Sequence, residues 1–146
     1  MKKLRLIAAI FALILLAGCV HLGTGVKEKL TADEVLEMYK LLDEAEYPRE
    51  YEFGVFDCSN ASALLYDYFT RKGFRCEVMV GWQPTWDWHS WLIVVKNGKE
   101  FWIESTTKQI RNPCCYEDYV LKFRFRSLKF LRFFSKFLFM PNEWDY

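Results

Sequence analysis

The 146-residue sequence has little of what several classes of protein depend on. Its 20 Lys and Arg residues nearly balance 19 Asp and Glu residues, so the net charge of +1 gives no reason to expect nucleic-acid binding. The apolar run at 6–17 is shorter than the roughly 20 residues that a membrane-spanning helix needs. There is no Cys-x-x-Cys pair, no acidic cluster of the kind that binds calcium, and only two histidines. We therefore predict neither a metal nor another cofactor.

The N-terminus has the parts of an export signal. Basic residues at 2, 3 and 5 precede the apolar run, which ends in the sequence LAGC at 16–19. This ending resembles the lipobox of bacterial-type lipoproteins, in which the cysteine is lipidated and becomes the new N-terminus. The resemblance implies a signal peptide at 1–18, a lipid anchor on Cys19 and a location on the extracytoplasmic face of the cell membrane. The alternative is an uncleaved N-terminal helix with a chance cysteine, which would also leave the rest of the chain outside the cytoplasm.

Residues 19–30 contain glycines, a threonine and charges, and we interpret them as the anchored, flexible tether. Residues 31–146 have the right length for one small domain, and their patterns predict an α+β fold. Helices are predicted at 31–45, where Thr31 and Glu34 form a capping box, and at 58–72, which ends before Gly73. Alternating apolar residues predict a strand at 74–82.

Two further strands, 89–96 and 99–106, flank Asn97-Gly98, the preferred sequence of a two-residue hairpin turn. Both faces of this hairpin are apolar, which favours an interior position in a sheet covered on both sides. The turn pairs Lys96 with Lys99, and that register makes His89 and Glu104 diagonal neighbours on one face. Diagonal neighbours lie about 7–8 Å apart at the backbone. We therefore expect the Glu104 carboxylate to accept a hydrogen bond from the His89 ring.

Cys58 is predicted at the beginning of a helix, where the positive end of the helix dipole favours a thiolate. A backbone N–H at that end can also hold the oxyanion of a tetrahedral intermediate. His89 would exchange protons with the sulfur and the leaving group, and Glu104 would orient the ring. Each residue alone has an ordinary alternative, since Cys58 or His89 could simply be packed in the core. The three together, in this order, favour catalysis.

The order of these residues resembles the core of the transglutaminase-like family of the papain-like superfamily. The similarity lies in FDCSNASALLYDYFTRKGFRCEVMVGW (56–82) and DWHSWLIVVKNGKEFWIESTT (87–107). It implies helices packed on a small antiparallel sheet and thiol-dependent acyl transfer, by amide hydrolysis or transamidation, on a protein or peptide substrate. Two departures stand out: Glu104 replaces the usual Asp, and the triplet DCS at 57–59 is closer to NlpC-type cell-wall peptidases. A non-catalytic binding or envelope-assembly module of the same fold is the other alternative.

The remaining cysteines, Cys76, Cys114 and Cys115, would lie in an oxidising compartment. If Cys58 is free, the natural disulfide joins Cys76 to Cys114 or Cys115. Five tryptophans that are close to the proposed site in sequence either wall a groove or belong to the core: Trp82, Trp86, Trp88, Trp91 and Trp102.

The segment LKFRFRSLKFLRFFSKFLF (121–139) has six basic residues and no acid. Its first part alternates as an edge strand would, and from Leu128 its period is helical. We consider two interpretations, which are compatible with each other. The segment could be a membrane-surface helix that reinforces the lipid anchor, or a final strand and helix that complete the core.

Overall fold

A computed structural model describes residues 29–52, 56–83, 88–138 and 144 of the protein. The described ranges do not include the predicted signal peptide, Cys19, most of the tether, Trp86 or residue 139. The described part contains three helices and a five-stranded antiparallel sheet, so the predicted α+β class is confirmed. None of the helices in these ranges is both long and apolar enough to cross a membrane.

The helices and strands follow each other along the chain in nearly the predicted order. The helices are α1 (Ala32–Glu44), α2 (Cys58–Arg71) and α3 (Leu128–Leu138). The strands are β1 (Arg75–Trp82), β2 (Trp88–Lys96), β3 (Lys99–Glu104), β4 (Gln109–Arg111) and β5 (Leu121–Phe125). A short 3-10 helix, Pro113–Tyr116, leads from β4 towards β5. In space the strands lie in the order β4-β3-β2-β1-β5, which makes the predicted hairpin of β2 and β3 interior.

Local signals explain where the first two helices begin and end. At the start of α1, the Glu34 carboxylate accepts a 2.7 Å hydrogen bond from the Thr31 backbone N–H, which completes the predicted capping box. At the end of α2, Gly73 adopts a φ of +86°, a conformation in which glycine has no Cβ penalty. The chain therefore turns directly from α2 into β1.

The sheet has two apolar faces that are covered in different ways. The helices cover one face, and side chains such as Leu42, Leu65, Leu92 and Leu131 fill the space between. The other face is covered by aromatic residues of the β4–β5 connection, where Tyr116 packs on Met79, Trp91 and Ile93. Trp91 is fully buried in this second cluster and Trp102 packs against it, so these two tryptophans belong to the core.

The predicted disulfide from Cys76 is wrong, because all four described cysteines are free. Cys76 is buried in the core on the helix-covered face of the sheet. Cys114 and Cys115 are exposed and immediately precede Tyr116, which covers the opposite face. The sheet therefore lies between the two groups of thiols. Burial also raises the pKa of the Cys76 thiol to about 11, which keeps it protonated.

The C-terminal segment contributes a strand and a helix, as its change of period predicts. β5 is an edge strand that pairs with β1, and α3 buries Leu128 and Leu131 in the helix-side core. The same helix leaves Phe130 and Phe133 at least half exposed. The segment therefore completes the core and also presents an apolar surface to solvent.

Candidate active site

The three residues proposed for catalysis lie at the same end of the sheet. Cys58 is the first residue of α2, His89 is the second residue of β2, and Glu104 is the last residue of β3. The register between β2 and β3 runs from Lys96 opposite Lys99 to Leu92 opposite Ile103, as the Asn-Gly turn predicts. The hairpin turn is thus at one end of the sheet and the candidate site is at the other.

His89 and Glu104 are in direct contact. Nε2 of His89 lies 2.8 Å from Oε2 of Glu104, so the expected hydrogen bond is confirmed. The other carboxylate oxygen, Oε1, accepts a 2.9 Å hydrogen bond from the Thr106 hydroxyl. The Tyr116 hydroxyl also lies near the carboxylate, 3.5 Å from Oε2. These contacts hold the carboxylate against the ring.

This contact favours an ion pair over two neutral side chains. Burial alone lowers the pKa of the His89 ring, but its interactions with Cys58 and Glu104 outweigh burial and raise the pKa to about 9. For Glu104, burial raises the pKa, and the hydrogen bond and charge of His89 outweigh it, so the carboxyl pKa is lowered. At neutral pH the pair is therefore an imidazolium and a carboxylate.

Cys58 lies beside the ring on its other side. Its side chain is one of the two partners that raise the His89 pKa, and with Nε2 bound to Glu104 the nitrogen left for the sulfur is Nδ1. Cys58 is 8% exposed and the His89 side chain is 23% exposed. Cys58 is therefore nearly buried, whereas part of the His89 ring is open to solvent.

The cap of α2 decides which backbone amides are available at the sulfur. The Asp57 carboxylate accepts a 2.8 Å hydrogen bond from the Ser59 N–H and another from the Asn60 N–H. The Asn60 side chain in turn accepts one from the Asp57 N–H at 3.0 Å. The Cys58 N–H has no partner among the described residues, so it is the amide of this turn that remains for an oxyanion.

Three buried serines connect the elements that carry the site. The Ser90 hydroxyl donates to the Cys58 carbonyl at 2.8 Å and lies 3.0 Å from the Ser62 hydroxyl, which donates to Ser105 at 2.8 Å. These serines are not predicted from the sequence, although Ser90 follows His89 and Ser105 follows Glu104. The available signal was a set of small polar residues at positions that the helical and strand periods assign to the interior.

Aromatic rings surround the imidazole, and a glycine makes room for one of them. Gly81 pairs with His89 across β1 and β2, and a Cβ on Gly81 would lie 2.6 Å from the Tyr119 ring and 2.9 Å from the Trp91 ring. The centroids of both rings lie 6.0 Å from that of His89. The partly buried Tyr47 donates its hydroxyl hydrogen bond to the carbonyl of Ser105, the residue after Glu104.

Within the described ranges, no group of three or more His, Cys, Asp or Glu side chains is arranged to hold a metal ion. The chain matches no protein-family model and no curated protein sequence. The geometry of the cysteine, the histidine and the glutamate is therefore what bears on the function of this protein.

Proposed function

We propose that this protein is a membrane-anchored extracytoplasmic enzyme of transglutaminase-like, papain-like fold that transfers acyl groups through a thioester on Cys58. The observation that carries the proposal is the 2.8 Å contact of His89 with Glu104 on strands that also bring the ring to the cysteine at the start of α2. The histidine ring thus lies between the cysteine and the carboxylate. This is the arrangement that a thiol nucleophile, a proton carrier and an orienting group require.

The first half of the reaction forms the thioester. The Cys58 sulfur attacks the carbonyl carbon of an amide, and the resulting oxyanion lies near the Cys58 N–H at the positive end of α2. The His89 imidazolium then donates its proton to the amide nitrogen, the C–N bond breaks and an amine leaves. Glu104 keeps the ring in position and stabilises its positive charge before this transfer.

The second half releases the acyl group. Water or a second amine attacks the thioester carbonyl while neutral His89 accepts a proton from it. The C–S bond breaks and the Cys58 sulfur leaves as thiolate beside the newly protonated ring. Attack by water completes amide hydrolysis, and attack by an amine completes transamidation.

The arrangement of elements supports the family resemblance. The helix that begins at the cysteine packs on β1 and β2 of an antiparallel sheet. Strands β2 and β3 carry the histidine and the acid, an arrangement that the transglutaminase-like resemblance implies. Glu104 stands where the family usually has Asp. Thr106 donates a hydrogen bond to the carboxylate oxygen that His89 does not contact, and the Tyr116 hydroxyl lies 3.5 Å from the oxygen that His89 does contact, so the longer side chain is held by residues around it.

The test is the rate at which iodoacetamide alkylates Cys58 in the native protein. It requires a Cys114→Ser/Cys115→Ser background, because those two exposed thiols would otherwise dominate the signal. Peptide mass spectrometry then compares Cys58 with Cys76, which serves as the internal standard for an inert buried thiol. We expect Cys58 to react at least tenfold faster than Cys76 at neutral pH.

Substitutions at the site should reduce this rate. We expect His89→Gln to slow alkylation of Cys58 by an order of magnitude or more, and Glu104→Gln to slow it less. Glu100→Gln is the matched control, because Glu100 lies on the same strand but contacts Arg124 and Trp102. If Cys58 reacts only after denaturation, the catalytic proposal is wrong and a binding module of this shape is what remains.

Two further assays separate the kinds of acyl transfer. Incorporation of a fluorescent alkylamine into casein measures transamidation, and release of ammonia from the same protein measures hydrolysis. Digestion of purified peptidoglycan would instead identify an NlpC-type cell-wall peptidase. Each activity should disappear in a Cys58→Ala variant.

The anchor has its own test. The lipidated protein should partition into the detergent phase, and a Cys19→Ala variant should lose the mass of the lipid. If the mass changes only by that of the substitution, Cys19 carries no lipid, as the alternative of an uncleaved N-terminal segment predicts.

A further inference from the structure

The outer face of α3 has an unusual composition. Phe130 is 50% exposed and Phe133 is 59% exposed, and together with Ser127 and Lys129 they line a shallow cleft. We call these four residues the α3 face. Lys129 makes no ion pair with any described residue. Exposed aromatic rings beside an unpaired cation are typical of surfaces that bind an apolar and anionic partner.

We propose that the α3 face lies on the surface of an anionic lipid bilayer. This inference does not depend on the proposed enzymatic activity. The phenyl rings would enter the boundary between headgroups and acyl chains, and Lys129 would remain among the phosphates. The sequence of α3 itself, LKFLRFFSKFL, has three basic residues and no acid, which complements an anionic membrane.

A second copy of the chain fits this face less well. In a two-fold dimer the same patch lies on both sides of the interface, so each copy would bring its own exposed Lys129 against that of its partner. Like charges across an interface oppose association. A bilayer with acidic lipids supplies the opposite charge.

The position of the chain's N-terminal part agrees with this orientation. The Lys29 carbonyl accepts a hydrogen bond from Lys99 beside the hairpin turn, so the described chain enters at that end of the sheet. β5 runs from Leu121 opposite Trp82 to Phe125 opposite Val78, which directs the chain towards the same end before α3 begins. The proposed tether, residues 19–30, has 12 residues and spans at most about 43 Å. Anchor and α3 face can therefore reach one membrane while the site at the other end stays accessible.

The experiment measures contact between α3 and lipid in the full-length protein reconstituted into vesicles. A Phe133→Trp reporter and a Leu36→Trp control, both at exposed positions, are compared with the unsubstituted protein. Brominated phosphatidylcholine quenches tryptophan fluorescence on contact. Vesicles are prepared with and without phosphatidylglycerol, at low and high salt.

We expect roughly twofold more quenching of the Phe133→Trp reporter in anionic vesicles than in neutral ones, and a loss of this difference in high salt. The Leu36→Trp control should match the unsubstituted protein. Adding Lys129→Gln, which leaves the core untouched, should lower the ratio of bound to unbound α3 roughly fivefold. Equal quenching at positions 133 and 36 would overturn the proposal. So would a reporter that is shielded from aqueous iodide but not quenched by lipid, because that result indicates a protein partner or a dimer.

Discussion

The Ser90 hydroxyl is hydrogen-bonded to the Cys58 carbonyl at 2.8 Å. His89 precedes Ser90, so this single bond fixes the strand that carries the imidazole to the helical turn that carries the proposed nucleophile. Through Ser62 the connection continues to Ser105, which follows Glu104. The relative positions of the three functional groups thus depend on buried hydroxyls that themselves have no chemical role.

Ser90→Ala should therefore affect the site as well as stability. It removes the hydrogen bond to the Cys58 carbonyl and the contact with the Ser62 hydroxyl, which keeps its bond to Ser105, and we expect a loss of roughly 0.5–1.5 kcal/mol in the free energy of unfolding. We also expect slower alkylation of Cys58. Ser135→Ala is the matched control, because Ser135 is equally buried but bonds within α3. If both variants alkylate at the wild-type rate, Ser90 does not position the site.

Replacing Glu104 with Gln should lower the pKa of His89. In the native protein the ring titrates at about 9, and without the carboxylate the effect of burial is opposed by Cys58 alone. Proton NMR can follow this directly, since the chain has only two histidines. His21 serves as the internal reference. An unchanged His89 titration in Glu104→Gln would show that the pair is not coupled in solution.

The same pair should make the free energy of unfolding depend on pH. The His89 pKa is raised above 6.5, so the stabilisation that His89 contributes is complete below pH 6.5 and is lost as the pH rises to about 9. The Glu104 pKa is lowered, so its contribution is present above pH 4.5 and is lost at more acidic pH. Urea unfolding should give the largest stability difference between wild type and His89→Gln near pH 5–6. A difference that grows from pH 6.5 to 9 would contradict this assignment.

Gly81→Ala should disturb the rings that pack around His89. The new Cβ would lie 2.6 Å from Tyr119 and 2.9 Å from Trp91, so one of the rings must move. We expect a loss of about 1–3 kcal/mol, measured by thermal or urea unfolding. We also expect Gly81→Ala to slow alkylation of Cys58. Adding Tyr119→Ala should restore part of that rate. No change in either measurement would mean that the rings do not confine the imidazole.

Apart from Cys58, the described thiols should fall into two classes in the native protein. Cys114 and Cys115 are exposed and should react at once with Ellman's reagent, whereas Cys76 is buried, keeps its proton because its pKa is raised to about 11, and should react only on unfolding. Peptide mapping without reductant checks this independently. A bridge from Cys76 to either exposed cysteine would require the sheet to be rearranged.

The sequence predicts the hairpin better than it predicts the surroundings of the site. Asn97-Gly98 sets a register that carries His89 to Glu104, because a two-residue turn leaves no freedom in the pairing. The capping box of α1 and the glycine after α2 are equally local signals. All three depend on residues within a few positions of each other.

The rest depends on contacts between distant parts of the chain. β4 has three residues, which is too short for a period, and the Tyr116 ring reaches Trp91 from a connection that the sequence does not distinguish from a loop. The serine connection spans α2, β2 and the end of β3, so no local pattern contains it. The disulfide prediction was wrong for the same reason, since counting cysteines does not reveal which face of the sheet each thiol occupies.

The hairpin also has a consequence for how the site assembles during folding. His89 and Glu104 are 15 residues apart and are joined through one tight turn, and isolated hairpins form within about 1–10 μs. Cys58 is 31 residues from His89, and the helix that begins with it must dock on β1 and β2 before the sulfur meets the ring. Because closure of longer loops is entropically slower, we expect the His89–Glu104 pair to form first. The sulfur would then meet the ring only in chains whose core has already formed.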